Sequence, residues 1–453
     1  MSGNLTAAMT LHRKGRLREA ERIYKKILQT HPDEVNSLQL LGAIRLAEGD
    51  AESACVLISR AVELRPDYAE AHLNLGSVWR ALGQPQQALA SYDAALALRA
   101  DLVDAHYNRG VVLQESGALD AALASYRMVD SLQPRHAEGL SNAALIHLLR
   151  GDLATGWPLY EWRLATPQFL AAHPQPLPGA RWTGREPLAG KHLLVFCEQG
   201  LGDAIQFARY LPLLARQGAT ITVLCRAVLH RLFARIAGVT QVTEALGDQR
   251  FDLHVPLLSL PGIFGTRLDG IPAADVAYLS IDRAWLEPWR ERLGTTRLPR
   301  IGLMWSGGNV TRIAGRSTSL ATLGKLLELP CEFISLQRDL PREEQELLAR
   351  MTLPDTAKLR HFGSLQEDLA DAAALIELVD LVVSVDTSVA HLAASLGKET
   401  WILLPKVSDW RWLEGRNDSP WYRSARLWRQ ATAGDWHPVV GEIQRALQAR
   451  FAG

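Results

Sequence analysis

The sequence predicts an all-α repeat superhelix followed by an α/β region of two doubly wound, parallel-sheet domains. Three observations predict it. Glycine and alanine recur every 34 residues through the first third of the chain. Short apolar runs then alternate with longer helical patterns, the signature of β-α-β units. Between the two regimes lies a stretch rich in proline and tryptophan, WPLYEWRLATPQFLAAHPQPLPGARWTGREPLAG, in which the alanine repeat vanishes. The expected organisation is repeats over 1–155, a linker over 156–187, a first α/β domain over 188–295 and a second over 296–453.

The repeat comes first because a fixed period decides the architecture. Gly15, Gly49, Gly83, Gly117 and Gly151 are each 34 apart, as are Ala20, Ala54, Ala88 and Ala122. Gly42, Gly76 and Gly110 keep the same step, and so do Pro32, Pro66 and, after Ala100 breaks the series, Pro134. Each unit reads as two amphipathic helices: a turn glycine ends the first, a small alanine lets the second pack closely, and a proline stops it. Tyr24, Ile58, Tyr92 and Tyr126 fill the larger packing slot. Four units are clear and a degenerate fifth runs from Ala137 to about Leu164. Leu38, Leu41, Gly42, Ala54, Ile58, Ala61 and Pro66 match the tetratricopeptide pattern, and the region resembles that repeat. No unit of such a stack buries its apolar face alone, and the concave side is open to an extended ligand, so a protein partner is expected.

Composition excludes several classes. Lys plus Arg and Asp plus Glu both number 49, so no global positive excess is available to neutralise a nucleic-acid backbone. This balance also argues against a helical-repeat RNA reader. The four cysteines are scattered, with no CxxC and no clustered histidine, so neither a disulfide framework nor a zinc site is expected. The N-terminal MSGNLTAAMTLHRKGRL lacks an apolar core of signal-peptide length, and no run approaches the ~18 apolar residues of a bilayer span. A cytoplasmic protein is the expectation.

In the α/β region HLLVFC, TITVLC and FDLHVPL read as strands of the first domain; IGLMWSG, CEFISLQ, LVVSVD and TWILLP read as strands of the second. Ligands of such sheets sit beyond the carboxyl ends of the strands, near helix N-termini, and three loops fall there. In CEQGLGDAIQFARYLPLL, Gly200 and Gly202 allow a tight turn, Gln199 is counted with them on the acceptor side, and Asp203 stands near the helix start, as a cap or as a functional carboxylate. Gly200 and Gly202 could open a dinucleotide fingerprint, but Ile205 replaces its third glycine and the next strand ends in Cys225-Arg226 without an acid for a ribose. In WSGGNVTRIAGRSTSL, Trp305 and Ser306 leave a strand, and Arg312 and Arg316 precede a helix, a combination suited to phosphate oxygens. Gln337, closing the strand CEFISLQ, is counted with this donor-side set. In SVDTSVAHLAASLG, Asp386 ends a strand while Thr387, Ser388 and His391 start a helix, with Ser388 and His391 on one face.

Taken in order, GWPLYEWR, EQGLGDAIQFARYLPLL, FDLHVPLLSLP, SVDTSVAHLAASLG and DWRWLEGRNDSPWY resemble bacterial tetratricopeptide-repeat proteins whose C-terminal domain is similar to the ADP-heptose:lipopolysaccharide heptosyltransferases. The resemblance implies a GT-B fold of two Rossmann-like domains, acceptor on the first and nucleotide-sugar on the second. It implies Asp203 as general base and Asp386, Thr387, Ser388 and His391 beside the donor phosphates. Relatives usually carry a His, an Asn-Asp pair and an Arg where this chain has Arg312, Ala314-Gly315 and Thr318; Arg316 and Ser319 match. The chain contains no DxD motif, so fixed donors and cations must meet the leaving diphosphate. The expectation is an inverting, metal-independent glycosyltransferase without a cofactor, its repeats holding a protein or glycan acceptor. The alternative is a repeat adaptor whose transferase-like half, altered over Val310–Thr318, no longer performs chemistry. The tryptophan-rich DWRWLEGRNDSPWY, with Arg411, either walls the donor pocket or packs the domains together.

Overall fold

The computed structural model describes residues 2–307, 315–350 and 358–451. The chain divides into two units, Met1–Ile146 with Trp162–Thr166 and His147–Glu161 with Pro167–Gly453.

Among the described residues of the first unit, four helix pairs are followed by the helix Ala137–Leu149: α1 (Ser2–Arg13) with α2 (Leu17–Thr30), α3 (Val35–Ala47) with α4 (Ala51–Leu64), α5 (Ala69–Ala81) with α6 (Pro85–Leu98), and α7 (Val103–Glu115) with α8 (Leu119–Leu132). The two periodic series in the sequence have separate physical causes. Turn glycines such as Gly49 (φ 86°) and Gly83 (φ 69°) adopt the left-handed backbone that ends the first helix of each pair. Gly42, Gly76 and Gly110 instead let two helices touch. A Cβ there would lie 2.4 Å from Ile58, 2.5 Å from Tyr92 and 2.6 Å from Tyr126, so the large side chain of one helix occupies the space a glycine leaves in the other. Ala20, Ala54, Ala88 and Ala122 are fully buried at the same interfaces.

The second unit contains two all-parallel sheets. Strands β1 (Ala180–Arg181), β2 (His192–Phe196), β3 (Thr220–Leu224), β4 (Val239–Thr243) and β5 (Leu253–Pro256) are ordered β1-β5-β2-β3-β4. Strands β6 (Arg300–Met304), β7 (Glu332–Ser335), β8 (Lys358–His361), β9 (Leu381–Val385), β10 (Thr400–Leu404) and β11 (Ala425–Arg429) are ordered β11-β10-β9-β6-β7-β8. Counted from β6, the second sheet follows the doubly wound order 3-2-1-4-5-6, and counted from β2 the first begins 3-2-1-4. Strand order therefore reverses at β2/β5 and at β6/β9. The loops leaving those strands border a crevice at each switch point.

All seven runs read as strands form strands. The four that the sequence did not announce, β1, β4, β8 and β11, are the two edges of each sheet. Central strands of a parallel sheet are covered on both faces and read as continuous apolar runs, as β9 and β10 do, buried at every position. An edge strand such as VTQVT in β4, half-buried or exposed throughout, carries no such run. β2 and β3 pair in register, Phe196 with Leu224.

Candidate active site

The loop after β2 and the loop after β9 meet. From the first, Gly200 enters the helix Leu201–Phe207; from the second, Thr387 enters the helix Ser388–Ser395. These helices approach so closely at Gly202 that a Cβ there would lie 2.8 Å from His391 Cδ2 and 3.6 Å from the Ser388 Cα. Gly202 thus sets how closely the loops after β2 and β9 approach, a role beyond the tight turn expected of it. Gln199, from the same loop, donates through Nε2 to the Tyr160 hydroxyl at 3.1 Å.

Asp203 both caps its own helix and pairs with a residue of the second sheet's half. Its Oδ2 accepts the Gly200 N–H at 2.8 Å, closing the start of its own helix. Its Oδ1 accepts from Arg411 Nη2, a residue of the second sheet's half. Arg411 also donates through Nη1 to Asp409 Oδ1 at 2.7 Å, and its guanidinium lies 4.4 Å from the Trp410 ring centroid. Burial opposes the charge on Arg411, but Asp203 and Asp409 hold its pKa above the ordinary value. Asp409 stays below the usual carboxylate range because Arg411 and Arg316 outweigh its burial.

In the second sheet's half, Asp386 is buried at the end of β9 and forms an ion pair with Arg316 Nη2 at 2.8 Å. Burial raises its pKa; Arg316 pulls the other way. Thr387 is buried beside Ser384, with the two hydroxyl oxygens 3.3 Å apart, and Ser388 is half-buried at the first helical position. His391 is buried, its Nδ1 lies 2.9 Å from the Tyr422 hydroxyl, and its ring stacks on Trp412 at 5.0 Å. Burial, then Arg411, Arg316 and Arg209, push its pKa well down, so the imidazole is neutral. Asp386 Oδ1 lies 3.9 Å from His391 Nε2, so the acid and imidazole of this segment face each other.

Three other expected donor-side residues are occupied elsewhere. Trp305 is fully buried in the second sheet's core and donates its indole N–H to Glu344 Oε2 at 2.7 Å. Ser306 and Gln337 pair with each other: the Ser306 N–H donates to Gln337 Oε1 at 3.1 Å, and Gln337 Nε2 donates to Ser306 Oγ at 2.8 Å. Arg312 lies outside the described residues. The tryptophan-rich segment packs: Trp410, Trp412, Trp421 and Tyr422 are buried, and Trp410 and Trp421 meet Phe207 and Trp157 at ring-centroid distances of 5.6 to 6.4 Å.

Sequence reasoning missed the buried Arg209. Its Nε donates to Gln206 O at 2.8 Å, its Nη1 to Trp421 O at 2.8 Å and its Nη2 to the Tyr278 hydroxyl at 3.3 Å, while the Tyr278 and Tyr422 rings cover it at 4.7 and 4.8 Å. Its only signal was its place in the quoted word EQGLGDAIQFARYLPLL.

Two family profiles match the sequence. The profile described as glycosyltransferase family 9 (heptosyltransferase) matches residues 366–403, the segment that holds Asp386 to His391. The chain thus carries a tetratricopeptide-repeat match in its N-terminal third and a C-terminal segment similar to the heptosyltransferases. The repeat profile matches residues 76–117. A curated relative, "Protein FlbA" of Caulobacter vibrioides, is 30% identical over 335 residues, which is 67% of this chain and 54% of the relative. The chain therefore spans about half the length of that relative. Among solved structures, MamA is 26% identical over 36% of this chain and 96% of its own, with a TM-score of 0.32. A thermophilic repeat protein of Thermus thermophilus is 23% identical over 37% of this chain and 91% of its own, with a TM-score of 0.33. Among the described residues, no helix is long and apolar enough to cross a membrane, and no group of three or more His, Cys, Asp or Glu side chains could hold a metal ion.

Proposed function

We propose that the C-terminal part is a GT-B glycosyltransferase that moves a sugar from a nucleotide-sugar to a protein or glycan acceptor, with inversion and without a metal ion or cofactor. The observation that carries this reading is the meeting of two switch-point loops: Gly200–Asp203 after β2 and Asp386–His391 after β9, held together through Gly202 and His391. In this reading the domain of 188–295 takes the acceptor, the domain of 296–453 takes the donor, and the repeats bring a protein or glycan to the cleft.

The chemistry follows from the charges. A nucleoside diphosphate leaves with at least two negative charges; Arg316 and the N-terminus of the helix Ser388–Ser395 offer fixed positive charge where it departs. The acceptor hydroxyl attacks the anomeric carbon, the carbon–oxygen bond to the diphosphate breaks, and Asp203 takes the hydroxyl proton. Base and leaving group stand on opposite sides of the sugar, so one displacement inverts the anomeric centre. His391, neutral and fixed by Tyr422 and Trp412, supports the donor loop through packing and hydrogen bonding and supplies no charge.

A second reading, a non-catalytic adaptor, is favoured by one observation: Asp203 and Arg411 already satisfy each other across the cleft. The deciding experiment screens ADP-, GDP- and UDP-linked sugars for thermal stabilisation and turnover in chelator, comparing the wild type with Asp203→Ala. Donor-dependent turnover that Asp203→Ala abolishes, with donor binding retained, is the expected outcome. Absence of binding by every donor at millimolar concentration refutes the enzyme.

A further inference from the structure

Within the transferase reading, on which this inference rests, the Asp203–Arg411 pair poses a physical problem. Asp203 has to receive a proton, yet its Oδ2 is engaged by the Gly200 N–H and its Oδ1, the oxygen its helix leaves for an acceptor, is engaged by Arg411. The pair is not a surface contact, for Arg411 is 6% exposed. Its forked guanidinium spans two carboxylates, Asp203 from the first sheet's loop and Asp409 from the second's.

Two features show that Arg411 is not exhausted by this bridge. Its buried Nε–H finds no hydrogen-bond acceptor among the described residues, and the same is true of the Arg316 Nε–H. Both guanidiniums act on Asp409 and on His391, so they gather around the same two residues, near the start of a helix whose Thr387 cap provides no side-chain acceptor. An unpaired N–H on a buried guanidinium is costly, and a multiply charged oxyanion is the ligand that removes the cost for two of them together.

The backbone that carries Arg411 is fixed, so only its side chain is left to move. Leu413 has φ 52° and ψ 177°, a region that non-glycine residues occupy at a cost of roughly 1–3 kcal/mol. Arg429, at the end of β11, donates through Nη2 to the Trp412 and Leu413 carbonyls, each at 2.7 Å, and through Nη1 to Ser408 Oγ at 2.7 Å. Strain retained and clamped beside a cleft residue is the pattern of a functional position.

We infer that Arg411 is a latch: in the unliganded protein it occupies Asp203, and the diphosphate of the donor draws it away and so exposes the base. Arg411 is thus a positioning residue that couples donor arrival to the availability of Asp203 and imposes donor-first binding. A carboxylate left bare before the donor arrives would instead be open to water.

The experiment uses the full chain and inorganic pyrophosphate as probe. Carbodiimide-driven amine labelling of Asp203 is read by peptide mass spectrometry, beside pyrophosphate affinity by calorimetry. Asp203 is expected to be protected in the free wild type and labelled severalfold faster at saturating pyrophosphate. Arg411→Gln is expected to label at the fast rate with or without pyrophosphate and to bind it roughly tenfold or more weakly, the loss of one charge-assisted contact. Arg411→Lys, which keeps the charge and loses the fork, decides the matter if the Gln variant does not fold. Partial exposure of Asp203 supports the latch, whereas protection equal to the wild type overturns it. Pyrophosphate that binds without changing Asp203 labelling also overturns the latch and leaves the donor site standing. Failure of pyrophosphate to bind, with Arg316→Gln indistinguishable from the wild type, overturns the donor site and the latch with it.

Discussion

Gly202→Ala tests the central geometric claim, that the two switch-point loops are set by direct helix contact. The added Cβ would lie 2.8 Å from His391 Cδ2, and about 0.6 Å must be gained before the contact becomes ordinary. A long flexible side chain would yield, but His391 does not move freely: its Nδ1 is bonded to the Tyr422 hydroxyl at 2.9 Å and its ring is stacked on Trp412 at 5.0 Å. Relief comes either from losing that hydrogen bond, at roughly 0.5–1.5 kcal/mol, or from overpacking that parts the helices, at roughly 1–3 kcal/mol. The expected destabilisation is about 1–3 kcal/mol, or roughly 1.5–2 °C of melting temperature per kcal/mol in a unit of this size. Urea unfolding followed by tryptophan fluorescence reads it directly, since Trp410, Trp412 and Trp421 are buried around the contact. Gly324→Ala is the control: nothing lies within 4 Å of its Cβ position, and a change below about 0.5 kcal/mol is expected. A Gly202→Ala variant as stable as that control, with unaltered donor binding, refutes the contact.

His391 gives a pH prediction. Its folded pKa lies well below the unfolded value of about 6.5, so the unfolded chain takes the proton first. The contribution is full above pH 6.5 and is lost as pH falls below it towards the lowered folded value, by up to about 1.4 kcal/mol per pH unit. Stability of wild type minus His391→Asn, measured by urea unfolding across this range, should carry that slope; a difference independent of pH contradicts a buried neutral imidazole. In the repeats, Gly76→Ala places a Cβ 2.5 Å from the fully buried Tyr92 ring. A loss of about 1–3 kcal/mol is expected in a thermal melt followed by circular dichroism, with Tyr92→Leu in the same chain recovering part of it. Additive losses would place the two residues out of contact.

The parts of this molecule that were legible in the sequence are those whose cause is local or periodic. The step of 34 residues survives because each repeat meets only its neighbours, so Gly42, Gly76 and Gly110 face the same packing problem again and again. Central strands were legible because burial on both faces leaves an unbroken apolar run, and the four edge strands were not. The junction from Asp386 to His391 stood out because acid, hydroxyls and imidazole crowd one strand-to-helix turn, and the structure places that turn where expected. Arg411 could not be read as the partner of Asp203, since 208 residues separate them and nothing local marks either as half of a pair. Trp305 misleads for a related reason: a residue at the carboxyl end of a strand can face the cleft or the core, and its indole N–H finds Glu344 on the core side.

The buried charges of the second unit fall into two kinds, and the difference bears on the choice between enzyme and adaptor. Buried ion pairs contribute little net stability compared with apolar packing of the same volume, so an interface that only had to hold two sheets together gains little from them. Arg209 is a cation of the structural kind: each of its three nitrogens donates to an oxygen, and aromatic faces cover it, so it stitches the segment around Trp421 and Tyr422 to the end of the helix Leu201–Phe207 with nothing left over. Arg316 and Arg411 are of the other kind, each paired through Nη atoms while a buried Nε–H stays unspent among the described residues. An adaptor that had abandoned chemistry would be relieved by any substitution removing those unspent donors. Their presence beside Asp386 and Asp203, rather than the number of charges, is what weighs towards a cleft that still receives an anion.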